Sequence, residues 1–261
     1  MATNDNTFDS EATQQVERSY LTPEIIKQRM QTLDALALKA GEQVLDAGCG
    51  TGLLVEQIAG LVGDDGRVVG VDTSPDMLKV ARQRCEGLAN VQLQQGSVEK
   101  LDFEPEGFDA VSCTQTLLYV KSVETALKEM YRVLKPRGRI AVLETDWRGV
   151  VLNNQDEELT RRIITAWDST VESPNLPVKL GALLREANFS AVKTEAIPIL
   201  NTSNTGNNFS SGMLKWLVKN AIKCGVMSQE TSDRWQQQMQ ELAQQEAYFF
   251  CVNRFLFTAI K

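Results

Sequence analysis

The 261-residue chain contains no histidine. That absence removes the commonest metal ligand and the commonest general base together, so any chemistry here must run without an imidazole. The five cysteines, at 49, 85, 113, 224 and 251, are odd in number, widely spaced and form no C-x-x-C pair. The pattern argues against a disulfide framework and against a structural zinc centre, and no metal is expected. Basic charge is scarce as well: 27 lysines and arginines against 34 acids leave a net charge of −7. A nucleic-acid partner, which wants a basic face, is disfavoured. No apolar run reaches the roughly 18 residues that a membrane-spanning helix needs, so no integral membrane association is expected. The opening stretch, MATNDNTFDSEATQQVERSY, is polar and acidic and lacks the basic-then-apolar layout of a signal peptide. Residues 1–20 read as a flexible acidic tail, and the chain as cytoplasmic.

What is present is an ordinary globular composition, 43% hydrophobic and 23% charged. Thr22-Pro23-Glu24 is a helix start, with a capping threonine, proline in the first turn and an acid near the positive end of the dipole. Ile26, Met30, Leu33 and Ala37 then recur at helical spacing up to Gly41. From 43 to 144 short β-branched strands alternate with helices: QVLDAG, RVVGVD, VQLQQG, FDAVSCT and RIAVLE are the strands. The alternation implies an α/β fold, a Rossmann-like doubly wound sheet that is mostly parallel, with ligands bound beyond the carboxyl ends of its strands. Asp46, Asp72, Gly96, Thr114 and Glu144 fall at such ends. After 150 come two helices, a strand containing Pro198, an NTSNTGNNFSSG loop, two more helices and a long apolar strand. The expectation is one domain over 21–261: a core of 41–200 and 248–261 with an antiparallel C-terminal edge strand, and a helical lid insertion over 201–247.

The most informative stretch is VLDAGCGTGLL, residues 44–54, where glycines stand at 48, 50 and 52. Dinucleotide turns follow G-x-G-x-x-G, and Leu53 occupies the place of their third glycine. Asp46, two residues before the first glycine, would repel a pyrophosphate. It would instead attract an ammonium, while turn amides and the helix start face a carboxylate. An amino-acid moiety is held at both ends by such a turn.

Asp46-x-Gly48-x-Gly50-x-Gly52 resembles motif I of the class I S-adenosylmethionine-dependent methyltransferases. VVGVDTSPDMLKVAR and ALKEMYRVLKPRGRIAVLE extend the resemblance to the small-molecule enzymes of ubiquinone/menaquinone-biosynthesis type. The resemblance implies that Asp46, Ala47, Gly48, Gly50 and Gly52 surround the methionine part of S-adenosylmethionine. It implies further that Asp72 takes the ribose hydroxyls beside Thr73, and that Met77 lies against the adenine. Gly96-Ser97 departs from the family's usual Gly-Asp, so Ser97, with Val98, stands where the adenine edge would be met. Thr114 closes this set from the fourth strand. In related enzymes the region of Tyr20 and Arg29 folds over the cofactor. The implied reaction is methyl transfer to a small, apolar or aromatic metabolite, leaving S-adenosylhomocysteine. Displacement at a sulfonium methyl needs mainly orientation, worth roughly 7–11 kcal/mol of barrier.

Glu144 and Asp146, in LETDW, are candidates for a general base, although each also reads as a plain strand-end or loop acid. Tyr119, Trp147 and Trp216 are candidates for the acceptor cleft, with packing beneath the lid the alternative for both tryptophans. Lys215, Lys219 and Lys223 form a stripe that suits either a solvated face or an anionic surface. Two other functions stay open at this level. One is a non-catalytic cofactor-binding protein of the same fold; the other is a nicotinamide-dependent oxidoreductase, against which Asp46 and Leu53 both speak.

Overall fold

A computed structural model describes residues 9–261. The alternating pattern builds the expected sheet. Strands β1 (Gln43–Ala47), β2 (Arg67–Asp72), β3 (Val91–Gln95), β4 (Phe108–Thr114) and β5 (Leu134–Thr145) lie parallel in the order β3-β2-β1-β4-β5. The strand order reverses at β1, which has β2 on one side and β4 on the other. The crossover helices α3 (Leu53–Val62), α4 (Pro75–Arg84) and α5 (Val123–Val133) begin where turn chemistry places them. Ser74 accepts from the Met77 amide and Ser122 from the Thr125 amide, each filling an orphan donor of a first turn.

The C-terminal half adds antiparallel strands. β8 (Phe250–Ile260) pairs antiparallel with β5 on one side and with β7 (Ser190–Asn201) on the other, and the two-residue β6 (Val151–Leu152) pairs with its start. β8 is therefore antiparallel, as its place in the chain suggests, but interior; the edge is β7. The reason is legible in the side chains. β8 alternates buried residues along its length, whereas β7 is largely exposed until Ile197 and carries Pro198, which an edge tolerates because it lacks the ladder N–H.

Three apolar cores result. Helices α5 and α7 (Pro177–Glu186) cover one face of the sheet, through Leu127, Met130, Leu180 and Leu184. Helices α2 (Pro23–Leu36), α3 and α4 cover the other, through Leu36, Ile58 and Leu78. A third core lies above the carboxyl ends of the strands, where α8 (Phe209–Lys223) and α9 (Gln229–Gln244) pack with Trp147, Trp167 and the start of β8. Among the described residues, no helix is long and apolar enough to cross a membrane.

Two expectations change here. Ser10–Tyr20 is a helix, α1, rather than a flexible tail; residues 1–8 of the expected tail lie outside the described residues. Asp9 caps it by accepting the Ala12 amide, Thr13 is buried, and Glu17 is ion-paired with Arg84 of α4. A polar composition hid these few anchoring positions. Thr22 does not cap α2 with its side chain: its hydroxyl donates to the Ser19 carbonyl at 2.7 Å and so joins α2 to α1. That helix ends at Leu36, with Ala37 left-handed at φ 47°, before Gly41 is reached.

Candidate functional site

The glycine turn sits at the carboxyl end of β1, at the point where the strand order reverses, which is where open α/β sheets take their ligands. The turn is tied down by its own amides: Gly48 and Cys49 N–H donate to the Val71 carbonyl at 2.7 and 2.9 Å. Gly48 has φ 82°, and a Cβ there would come within 2.1 Å of the Thr116 hydroxyl, so no side chain fits. A Cβ on Gly50 would meet nothing within 4 Å, which leaves that backbone open to an approaching ligand. Gly52 packs on Ala81 of α4 and precedes the first residue of α3.

Two carboxylates flank the turn. Asp72 accepts the Gly50 amide at Oδ2 and the Ser74 amide at Oδ1, both at 2.9 Å, which ties the ends of β1 and β2 together. Asp46 is 1% exposed and accepts the Ser112 hydroxyl at 2.6 Å. Burial pushes its pKa up to about 7; the Ser112 hydrogen bond opposes the shift and the Asp72 charge adds to it. Burial also raises Asp72, against the pull of its backbone hydrogen bonds. A buried acid with a second, half-buried acid beside it is suited to a ligand that brings positive charge.

A cavity of about 290 Å³ runs from this turn to beneath α8. At its first end lie Asp46, Gly48, Gly50, Asp72, Thr73 and Met77. Ser97, Val98 and Thr114 continue the wall; Ser97 Oγ accepts the Glu99 amide at 3.1 Å. Ala47 is fully buried in the sheet and Gly52 lies against α4, so both support the turn from behind. Tyr20 and Arg29 come over the cavity from α1 and α2. Arg29 is 8% exposed, with Nε donating to Gln57 Oε1 and Nη1 to the Tyr20 carbonyl.

At the other end Tyr119, Trp147 and Trp216 all line the cavity. Trp167 stands between the two tryptophans, with ring centroids 5.5 Å from Trp147 and 6.0 Å from Trp216. Burial raises the phenols of Tyr20 and Tyr119, which keeps both as hydroxyl donors at neutral pH. Phe209, Met213 and Trp216 bring α8 into the roof, whereas α9 packs behind it and does not reach the cavity. The cover over the site thus comes from α1, α2 and α8, a different set from the 201–247 lid alone. The lysine stripe of α8 faces outward, and Lys219 pairs with Glu11 of α1 at 3.3 Å.

Glu144 and Asp146 do not line the cavity. Glu144 is fully buried and accepts the amides of Thr116 and Leu117 at 3.1 and 2.7 Å, which fixes the loop after β4; burial pushes its pKa up to about 8. Asp146 accepts the Arg148 amide and caps the short turn at Trp147–Gly149. Several residues that no motif announces also reach the cavity, Gln28, Gln115, Trp167 and Arg254 among them. A signal existed for Arg254, the single charge within the apolar run of β8. The others come from helices and turns whose facing depends on tertiary packing.

Known proteins resemble this chain in sequence and fold. A protein of transposon TN4556 from Streptomyces fradiae is 32% identical over 207 residues, 78% of this chain and 59% of that protein. The ubiquinone/menaquinone biosynthesis C-methyltransferase of Enterobacter sp. (strain 638) is 40% identical over 116 residues, 43% of this chain and 46% of the relative. The chain thus spans about half the length of the curated relatives it matches. Haemonchus contortus phosphoethanolamine N-methyltransferase 2, solved with phosphomonomethylethanolamine and S-adenosylhomocysteine, superposes with a TM-score of 0.64 at 21% identity. The superposition covers 97% of this chain and 58% of that one. Residues 38–246 match a family described as "Methyltransferase domain". The match spans most of the chain and includes the glycine turn, both acids and the strand-reversal point, and the chain belongs to that methyltransferase family.

Proposed function

We propose that the protein transfers the methyl group of S-adenosylmethionine to a small, apolar or aromatic acceptor. The observation that carries this reading is the pair of acids, buried Asp46 and half-buried Asp72, flanking a turn whose Gly50 is open to the cavity. The residues fit the cofactor. Asp46, protonated in part while alone, becomes fully ionised beside an ammonium, and the exposed turn backbone leaves room for the amino-acid end. Asp72 keeps lone pairs free for two ribose hydroxyls while its backbone bonds hold it still. Met77 and Val98 offer apolar surface to a base, and Ser97 a hydroxyl to its edge. Arg29, whose Nε and Nη1 are fixed by Gln57 and Tyr20, suits the methionine carboxylate.

Once bound, the cofactor supplies an electrophilic methyl on a sulfonium. The chain's own part is orientation and exclusion of water. Tyr20 and Arg29 close the cavity from above, and Trp147, Trp167 and Trp216 form an apolar wall that holds the acceptor. Orientation of this kind is worth roughly 7–11 kcal/mol of barrier. Glu144 acts at one remove by fixing the Thr116–Leu117 backbone, and Thr116 in turn packs on Gly48.

Calorimetric titration with S-adenosylhomocysteine tests the assignment. Binding by the wild-type protein is expected, with no measurable binding by Asp46→Ala or Gly50→Val and a weakened affinity for Asp72→Ala. Unchanged affinity in all three variants, or preferential binding of a nicotinamide dinucleotide, would reject it.

A further inference from the structure

Arg254 stands in β8, an interior strand, with 2% of its surface exposed, yet it lines the cavity. Its Nη1 donates to Gln28 Oε1 at 2.6 Å, and its Nε has no hydrogen-bond partner among the described residues. Among the described residues, no carboxylate oxygen comes within 4.0 Å of it. Glu144 is near enough to be felt but lies beyond that distance; its Oε1 accepts the Thr116 and Leu117 amides and its buried Oε2 has no partner among the described residues, so neither oxygen pairs with the guanidinium. The cation is met instead by ring faces, Phe209 at 5.1 Å and Tyr20 at 5.8 Å.

A buried cation with incomplete hydrogen bonding is costly, and such groups persist where a ligand completes them. Two of the tryptophans that line this cavity, Trp147 and Trp167, carry buried indole N–H groups with no hydrogen-bond partner among the described residues. An apolar pocket whose unmet groups include a guanidinium and two indole donors is complementary to a molecule with an apolar body and a negatively charged oxygen group. The planar fork of arginine matches a carboxylate best, through two parallel N–H bonds. Gln28 fixes the guanidinium plane from one side, so the fork is oriented before any ligand arrives.

We propose that the methyl acceptor is an apolar carboxylic acid, its carboxylate paired with Arg254 and its body lying against Trp147, Trp167 and Trp216. The proposal rests on the methyltransferase reading and adds the acceptor's charge to it. Arg254 is then the residue that sets specificity for acids over their neutral counterparts.

The test compares benzoate, 1-naphthoate and indole-3-acetate with their primary amides, titrated into wild-type protein saturated with S-adenosylhomocysteine. At least one acid is expected to bind about tenfold or more tightly than its amide, since truncating one side of a buried charged pair typically costs at least that much. In Arg254→Met the preference is expected to vanish while affinity for S-adenosylhomocysteine stays within about threefold of wild type. Arg254→Lys, which keeps the charge and loses the fork, is expected to retain only part of it. The comparison of acid with amide in the wild-type protein needs no variant, so a misfolded Arg254→Met would not spoil it. Equal binding of acids and amides, no acid binding, or an undiminished preference in Arg254→Met would overturn the proposal while intact S-adenosylhomocysteine binding left the methyltransferase reading standing. Failure of the wild-type protein to bind S-adenosylhomocysteine would overturn both.

Discussion

Glu144 separates two roles that a strand-end acid can take. A base at the reacting centre must face the cavity, whereas Glu144 faces the amides of Thr116 and Leu117. Removing it orphans those donors, at about 1–3 kcal/mol for each one left buried and unpaired. Glu144→Ala is therefore expected to lower stability by about 2–6 kcal/mol in urea titrations, and Glu144→Gln, which keeps an acceptor oxygen, by much less. The two forms also differ with pH. A carboxyl whose folded pKa is about 8, above its unfolded value, contributes stability that is complete below the unfolded pKa and is lost as pH rises through the folded one. The stability of Glu144→Gln relative to wild type should accordingly improve between pH 5 and pH 8; a constant difference would argue against burial as the cause. Asp46 carries the same logic to the ligand. With a pKa of about 7 in the free protein, it must lose its proton to pair with an ammonium. Affinity for S-adenosylhomocysteine is expected to fall by up to about tenfold per pH unit below 7, and Asp46→Asn to flatten that profile along with the affinity.

Elements matter here mainly through what they cover. Helix α1 has few buried positions of its own, yet Val16, Ser19 and Tyr20 all border the cavity and Glu17 links it to α4. Deleting residues 1–20 should leave the sheet intact, as read by far-ultraviolet circular dichroism, and weaken S-adenosylhomocysteine binding by at least about tenfold, because the cavity then opens to water. Unaltered affinity would mean that α1 merely decorates the fold. Helix α8 is different. Its inner face carries Phe209, Met213 and Leu217 into the third core while Trp216 reaches the cavity, so it is both structural support and site wall. The glycine turn is the least forgiving element, since Gly48 has no room for a Cβ against Thr116.

At the scale of the whole molecule, ligand and fold are coupled, because the cavity is roofed by helices that are distant in sequence from the sheet beneath. A ligand that binds only the native state stabilises by about 2.7 kcal/mol at 100 times its Kd. For a domain of this size that corresponds to a rise in Tm of roughly 5–10 °C. Saturating S-adenosylhomocysteine should raise Tm by that amount in the wild-type protein, with a smaller rise in Asp72→Ala and almost none in Asp46→Ala.

The sequence by itself determined the parallel α/β core, the order of its elements from 43 to 144, the glycine turn and the two acids beside it. These features are written in short-range terms, in strand and helix periods, capping serines and glycines where no Cβ can fit, and short-range terms survive into the fold. It was silent on α1, whose polar surface hides a handful of docking positions, and it put the last strand at an edge that β7 occupies instead. It could not tell whether Glu144 meets a substrate or a loop, nor that Gln28 and Arg254, more than two hundred residues apart, would meet over one cavity. Only the tertiary structure decided those points, because whether a polar side chain is buried, and against what, depends on elements brought over it from elsewhere in the chain rather than on its own neighbours.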